Sequence, residues 1–286
     1  MTRPQAAAAR KKKKRLTRII GMITLAVMLI IALFPIYWML ATSFKPQVEV
    51  YLADPTIIPK APTLDAYRAL FTKSNYLSGV KNSFIIALTV SLLTILLAVP
   101  CSYAISKLRF VGKSFASRAV LVTYLIPAAV LYIPIYMFLT RLGLSNDLRG
   151  LMIIYPSITI PYAIWILIPY FSSIPKDLEE ASLVDGCGRV GSMLRIVVPL
   201  AIPGIITTFI FSFTMCWGEF LYALVSMTEE LKKTYPLIIN GLIWGDLYPW
   251  PQIMAGGICA CVPIVVIYMA ASKYLIGGLT AGAVKG

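Results

Sequence analysis

Histidine is missing from all 286 residues, and acids are scarce, 12 Asp and Glu against 26 Lys and Arg. Without histidine the chain lacks the side chain best suited to moving protons near neutral pH, which is also the commonest metal ligand. The five cysteines do not replace it. Cys101, Cys216, Cys259 and Cys261 fall in apolar stretches and Cys187 in a polar one, so neither a disulfide framework nor a thiolate metal site is expected. No G-x-x-x-x-G-K-[ST] loop is present to cradle a nucleotide phosphate. Outside one polar insert the acids are scattered through loops with no nucleophile and base beside them, and no catalytic residue is expected.

Charge of any kind is sparse. Charged residues make up 13% of the chain and hydrophobic ones 59%, with a mean hydropathy of +0.81, where a soluble domain carries about a quarter charged residues. Six stretches contain no charge: Ile19–Phe44, Asn82–Ser106, Ala119–Thr140, Gly150–Pro175, Ile196–Gly218 and Leu247–Ser272. Each exceeds the roughly 20 residues that a helix needs to cross the hydrocarbon of a bilayer. The expected fold class is therefore an all-α integral membrane protein with six transmembrane helices. The domain reading is a basic tail over 1–18, a six-helix region over 19–277 holding a polar insert at 172–198, and a C-terminal tail over 278–286.

The net charge of +14 is concentrated at one end. Arg3, Arg10, Lys11, Lys12, Lys13, Lys14, Arg15 and Arg18 supply +8 of it with no acid among them. A polybasic run directly before an apolar span holds that end in the cytoplasm and lies against anionic lipid, so the bilayer is the expected partner and nucleic acid is not. The first charge-free stretch is too long for the apolar part of a signal peptide, and an uncleaved first helix is expected. Six spans then return both termini to the cytoplasm. Lys107, Arg109, Lys113 and Arg118, in a loop with no acid, fit the cytoplasmic side. The first external loop, Lys45–Lys81, mixes both signs and holds Pro46, Pro55, Pro59 and Pro62, which favour an ordered, extended excursion over another helix.

Prolines recur through the spans, among them Pro35, Pro100, Pro127, Pro134, Pro156, Pro161, Pro169, Pro203 and Pro263, and they are expected to break those helices; the other reading is that proline is simply commoner in membrane helices. Glu219, in Trp217-Gly218-Glu219-Phe220, is the one acid within reach of the membrane core. With Trp217 it is a candidate for the substrate path; the other reading is an interfacial carboxylate hydrogen-bonded within its own bundle. Trp244, Tyr248 and Trp250 fit an interfacial aromatic belt.

The polar insert concentrates chemistry that the spans lack. Asp177, Glu179, Glu180 and Asp185 lie between two apolar segments. Pro175 suits a helix start, acids then occupy the positive end of the helix dipole, and Gly186 is a natural stop. Leu178, Ala181 and Ser182 share one side at helical spacing, which predicts a short helix with a shallow apolar face beside an acidic one, suited to a groove on a cytoplasmic partner.

Glu180-Ala181-Ser182, then Gly186, then Ile196-Val197-Val198-Pro199 resembles the Glu-Ala-Ala…Gly…Ile-x-Leu-Pro signature of permease subunits in bacterial ATP-binding-cassette (ABC) importers, with Ser182 and Val198 departing from it. Further pieces are similar to the second permease of maltose-type systems: Trp38 with Thr42-Ser43-Phe44-Lys45-Pro46, Asn82-Ser83-Phe84, Ile174-Pro175, Trp217-Gly218-Glu219-Phe220, and the ending from Gly278 to Gly286. Gly218 stands where that family often has Asn. The resemblance implies a type I ABC importer permease fold in a bacterial cytoplasmic membrane. It makes Glu180, Ala181, Ser182, Asp185 and Gly186 the residues that couple to an ATPase, and it sends Gly282, Ala283, Val284 and Lys285 of the C-terminal tail into that ATPase. The implied partners are a homologous second permease, two copies of the ATPase and an external sugar-binding protein. ATP and magnesium would be used by the ATPase and not by this chain. The implied cargo is a sugar, a di- or oligosaccharide; the alternative is a non-carbohydrate solute such as a polyol phosphate, a polyamine or an amino acid.

Overall fold

The structure is a computed structural model that describes residues 3–283, and no strand occurs among them. The main helices are α1 (Arg3–Ser43), α2 (Asp65–Lys73), α3 (Tyr76–Lys107), α4 (Lys113–Leu125), α5 (Ala128–Arg141) and α6 (Leu148–Ser173). They continue with α7 (Lys176–Val184), α8 (Arg189–Leu200), α9 (Ile202–Trp217), α10 (Leu221–Ser226), α11 (Tyr235–Asn240) and α12 (Trp250–Ala283). The basic tail is not a separate element, because the backbone of α1 runs without interruption from Arg3.

Among the described residues four helices are each long and apolar enough to cross a membrane: Arg15–Ser43 of α1, α3, α6, and Trp250–Tyr274 of α12. A fifth span exists if α8 and α9, bent by 79° at Ala201, are counted together. Two of the six expected spans therefore differ from single helices. Ala119–Thr140 is divided at Ile126 and Pro127, where both residues take extended backbone angles, as the clash of a proline ring with the residue before it demands. Ile196–Gly218 starts within α8, and only the 16 residues of α9 run on after the bend, a rise of about 24 Å.

The prolines break fewer helices than their number suggests. Pro35, Pro100, Pro134, Pro161, Pro169 and Pro263 lie inside continuous helices. Pro127 and Pro203 sit at helix starts, and Pro156 opens the second segment of α6 after Tyr155, positions where the missing N–H costs nothing.

The chain divides into two compact units, the first running to Leu70 and including Leu247–Cys259, the second comprising Phe71–Asp246 with the chain from Ala260 onward. In the first unit α1 exposes apolar side chains around its whole circumference, among them Leu25, Ile31 and Phe34, as expected of a helix whose solvent is lipid. After α1 the chain makes one helical turn, Gln47–Val50, and follows an ordered, irregular course to α2. The expected extended excursion is thus found over residues 51–64, and most of the remainder of that loop is helical.

This irregular stretch is held by buried charge. Lys45 lies 4.7 Å from the ring of Trp38 and donates to the Thr56 carbonyl. The Glu49 carboxylate accepts from the Thr56 hydroxyl at 2.5 Å and from the Lys60 amide at 3.0 Å. Chiefly the Thr56 hydroxyl, and then the Lys60 N–H, hold the Glu49 carboxyl below the usual carboxylate range. Tyr51 and Gln47 both donate to the Tyr248 carbonyl at 2.8 Å. Tyr248 stacks on Trp250 with centroids 5.5 Å apart.

In the second unit α3 is the central helix, packed against α6 and α9. One apolar cluster joins Ile86 and Val90 of α3 to Leu151 and Tyr155 of α6 and to Phe213 and Trp217 of α9. Another joins Tyr103 of α3 to Leu167 and Phe171 of α6 and to Val197 of α8. Between α3 and α6 the hydroxyls of Thr94 and Thr159 meet at 2.6 Å, both fully buried, the small polar contact that lets helices approach closely in lipid. Gly204 serves α9 in the same way: a Cβ there would lie 2.5 Å from the Tyr170 ring of α6. Asn82 donates to the carbonyls of Leu231 and Lys233 at 2.8 and 3.0 Å, and Ser83 accepts from the Tyr235 amide at 3.0 Å. The Asn82-Ser83 pair thus anchors the chain entering α11.

Candidate coupling site

The polar insert folds as α7 followed by α8. Pro175 precedes the first residue of α7, and Asp177 and Glu179 lie in its first turn, where negative charge meets the orphan N–H groups. At the other end the Cys187 amide donates to the Ser182 carbonyl at 3.0 Å and the Gly186 amide to the Leu183 carbonyl at 3.2 Å. These two bonds form a Schellman motif, which requires a left-handed residue after the helix. Gly186 supplies it with φ of +84°.

The two faces of α7 are not the ones that helical spacing alone suggests. Glu179, 7% exposed, and Ser182 point into the subunit. The Glu179 carboxylate accepts from the Tyr103 hydroxyl of α3. Ser182 Oγ lies 2.6 Å from Ser192 Oγ of α8 and 2.7 Å from the Glu179 carbonyl. Lys107, at the end of α3, donates to the Ile174 carbonyl just before α7. Leu178, Ala181 and Ser182 therefore do not share a docking face: Ser182 is a clamp, and Leu178 and Ala181 are exposed. A hydroxyl deep in the subunit must find a partner, and Ser192 and the Glu179 carbonyl supply two.

The outward face consists of Glu180, Ala181, Val184 and Asp185, with Gly186 beyond them. Val184 is 87% exposed, unusual for an aliphatic side chain at the centre of a folded insert. An open cleft of about 460 Å³ runs beside α7, lined by Lys107, Arg109, Lys176, Glu180, Leu183 and Arg189. An acidic, small-residue helix with a basic cleft at its flank can bind a partner surface and transmit displacement.

Tyr103 and Lys107 went unidentified at the level of sequence, although they fix α7 to the core. The signal was their spacing of four on the last turns of α3, which places a hydroxyl and an ammonium on one face.

Trp217 and Glu219 both have partners within the subunit. Trp217 is 1% exposed, stacks on Phe213 at 5.8 Å and donates its indole N–H to the Ala260 carbonyl at 3.1 Å. The Glu219 carboxylate accepts from the Tyr155 hydroxyl at 2.7 Å, the Tyr222 amide at 2.8 Å and the Ala223 amide at 3.2 Å. It caps α10 and ties it to α6. Of the C-terminal residues, Gly282 and Ala283 end α12, while Val284 and Lys285 lie outside the described residues. Among the described residues no cluster of His, Cys, Asp and Glu could hold a metal ion.

Comparison with known proteins adds the context for this geometry. Residues 91–280 match the family described as binding-protein-dependent transport system inner membrane component. The chain is 34% identical to the trehalose/maltose transport system permease protein MalG of Thermococcus litoralis, over 96% of this chain and 98% of the relative. It is also 34% identical to the sulfoquinovosyl glycerol transport system permease protein SmoH of Agrobacterium fabrum, over 92% and 93%. Among solved structures, a chain of a bacterial ABC transporter involved in import of the acidic polysaccharide alginate superposes with a TM-score of 0.77 at 20% identity, covering 92% of this chain and 97% of that one.

Proposed function

The chain belongs to the family of binding-protein-dependent transport system inner membrane components, and from that premise we propose that it is one permease subunit of an ABC importer whose cargo is a sugar. It is a multi-pass membrane protein that forms half of a translocation path and couples it to a separate ATPase. The observation that carries this reading is α7: an acidic helix exposed outward at Glu180, Ala181 and Val184 and bonded inward to α3 and α8. The sugar assignment is supported by the trehalose/maltose and sulfoquinovosyl glycerol systems to which the two relatives belong.

The remaining parts are supplied by partners: a homologous permease, two ATPase subunits that use ATP and magnesium, and an external binding protein that delivers the sugar. Both termini and α7 face the cytoplasm. When the ATPase closes on ATP, it displaces α7. The Glu179–Tyr103 and Lys107–Ile174 bonds carry that displacement to α3, and the Ser182–Ser192 pair carries it to α8. Because α3 is packed along α6 and α9, these helices move together, and the cavity between the two permeases changes the side it faces.

The cargo is tested with the complete importer in proteoliposomes, with binding protein outside and ATP within. ATP-dependent uptake should be competed by neutral di- or oligosaccharides and not by amino acids or polyamines; the reverse order of competition would reject the sugar assignment. Orientation has its own test. With the other four cysteines replaced, native Cys187 should react with an impermeant thiol reagent only after the membrane is opened, whereas Thr228→Cys on a cysteine-free chain should react in intact cells. Labelling of Cys187 from outside would place α7 beyond reach of a cytoplasmic ATPase.

A further inference from the structure

A second cleft, of about 440 Å³, lies where the end of α3, the start of α4 and the end of α6 meet, and its chemistry differs from that of the cleft beside α7. Lys113, Arg118, Ser106, Ser114, Ser117 and Ser172 line it, with Ile105 and Ile168 as apolar wall. No carboxylate lines it, whereas the neighbouring cleft carries Glu179 and Glu180. Ser106 already donates to the Ser102 and Tyr103 carbonyls, but two cations and the three hydroxyls of Ser114, Ser117 and Ser172 with no competing acid suit a group that is anionic and rich in acceptor oxygens. A phosphate monoanion or diester has that chemistry, whereas in the other cleft Glu179 and Glu180 compete with an anion for the cations.

The location specifies the carrier of that phosphate. Ser106 is the last residue of one charge-free run, Arg118 immediately precedes another, and Ser172 lies near the end of a third. The cleft thus sits where the apolar surface of three chain segments gives way to polar residues, at the depth of a lipid headgroup. Lys113 already bonds the carbonyls of Leu108 and Ser106 at 3.1 and 3.3 Å, which fixes its ammonium at the mouth while one of its three donors stays available. Along α4 the exposed side chains of Phe115, Val122 and Leu125 continue as an apolar surface, which free phosphate would not use and acyl chains would cover. We propose that this cleft binds the headgroup phosphate of an anionic phospholipid. Basic pockets between membrane helices on the cytoplasmic side are a recurrent form of lipid recognition.

The experiment uses the assembled importer exchanged into nanodiscs of equal phosphatidylglycerol and phosphatidylcholine, with lipid retained through a detergent wash counted by native mass spectrometry. The unaltered complex should retain phosphatidylglycerol over phosphatidylcholine. Arg118→Ala should lower that preference about fivefold, the effect of one basic group near anionic lipid. Ser114→Ala with Ser117→Ala should lower it as well, and this pair, both at the surface of α4, gives the reading if the Arg118 variant fails to assemble. Arg109→Ala, which changes a cation outside the cleft, should leave it unchanged. Equal losses for Arg109→Ala and Arg118→Ala would reduce the effect to general charge attraction and overturn the site. Displacement of the retained lipid by excess inorganic phosphate would overturn the lipid assignment in favour of a free phosphate site. Lipid retention is read without turnover, so it fails or holds independently of the sugar assignment.

Discussion

Gly186→Val should lower sugar transport by the assembled importer severalfold while the subunit still inserts and assembles. No heavy atom lies within 4 Å of where a Cβ would sit at Gly186, so the penalty is conformational rather than steric. Its φ of +84° costs a β-branched residue roughly 1–3 kcal/mol. The local response is to abandon the left-handed turn, which opens the Cys187–Ser182 and Gly186–Leu183 bonds and re-aims α7. Glu180→Lys acts differently, reversing the charge of an exposed side chain without touching the fold. The two together should reduce uptake by more than about tenfold, equivalent to only ~1.4 kcal/mol in the coupled step, and should leave ATPase activity uncoupled from binding protein. Gly186→Asn, which tolerates the left-handed region, should retain most of the transport. Wild-type uptake in the double variant would remove α7 from the coupling path.

Glu219→Ala should destabilise the second unit and lower its thermal midpoint by roughly 5–10 °C. The change strips a partner from the Tyr155 hydroxyl, which is fully buried, and from the amides of Tyr222 and Ala223 at the start of α10. Each buried polar group left without a partner costs about 1–3 kcal/mol. Glu219→Gln keeps an acceptor oxygen for the helix amides and should lose less than half as much. The measurement is the midpoint of the purified complex with uptake recorded in parallel. Lost uptake at an unchanged midpoint, above all in Glu219→Gln, would show that the charge itself serves the cargo and would reject the capping role.

Both predictions turn on residues that the sequence exposes unequally. Span positions are legible because a charge-free run long enough to cross a bilayer has few other uses, and α3, α6 and α12 fall where such runs lie. The runs at Ala119–Thr140 and Ile196–Gly218 contain the same composition yet divide at Ile126–Pro127 and bend at Ala201. Which proline yields depends on the neighbours that satisfy the freed backbone groups, and Pro100 and Pro161 remain in continuous helices. Gly186 is legible because one conformation favours glycine so strongly. The inward face of α7 is not, since Glu179 and Ser182 are polar by composition and buried only because Tyr103, far off in sequence, and Ser192, on the next helix, come to meet them.

That separation of faces has a consequence for how the subunit can change. Glu179 and Ser182 answer to the permease itself, and replacing either leaves a hydroxyl stranded at Tyr103 or Ser192. Glu180, Ala181 and Val184 have no such obligations within the chain and can be exchanged without refolding it. Variants altered only at these three positions should therefore accept a different ATPase while the bundle stays as it is. The two surfaces of one nine-residue helix make the engine interchangeable and the chassis fixed.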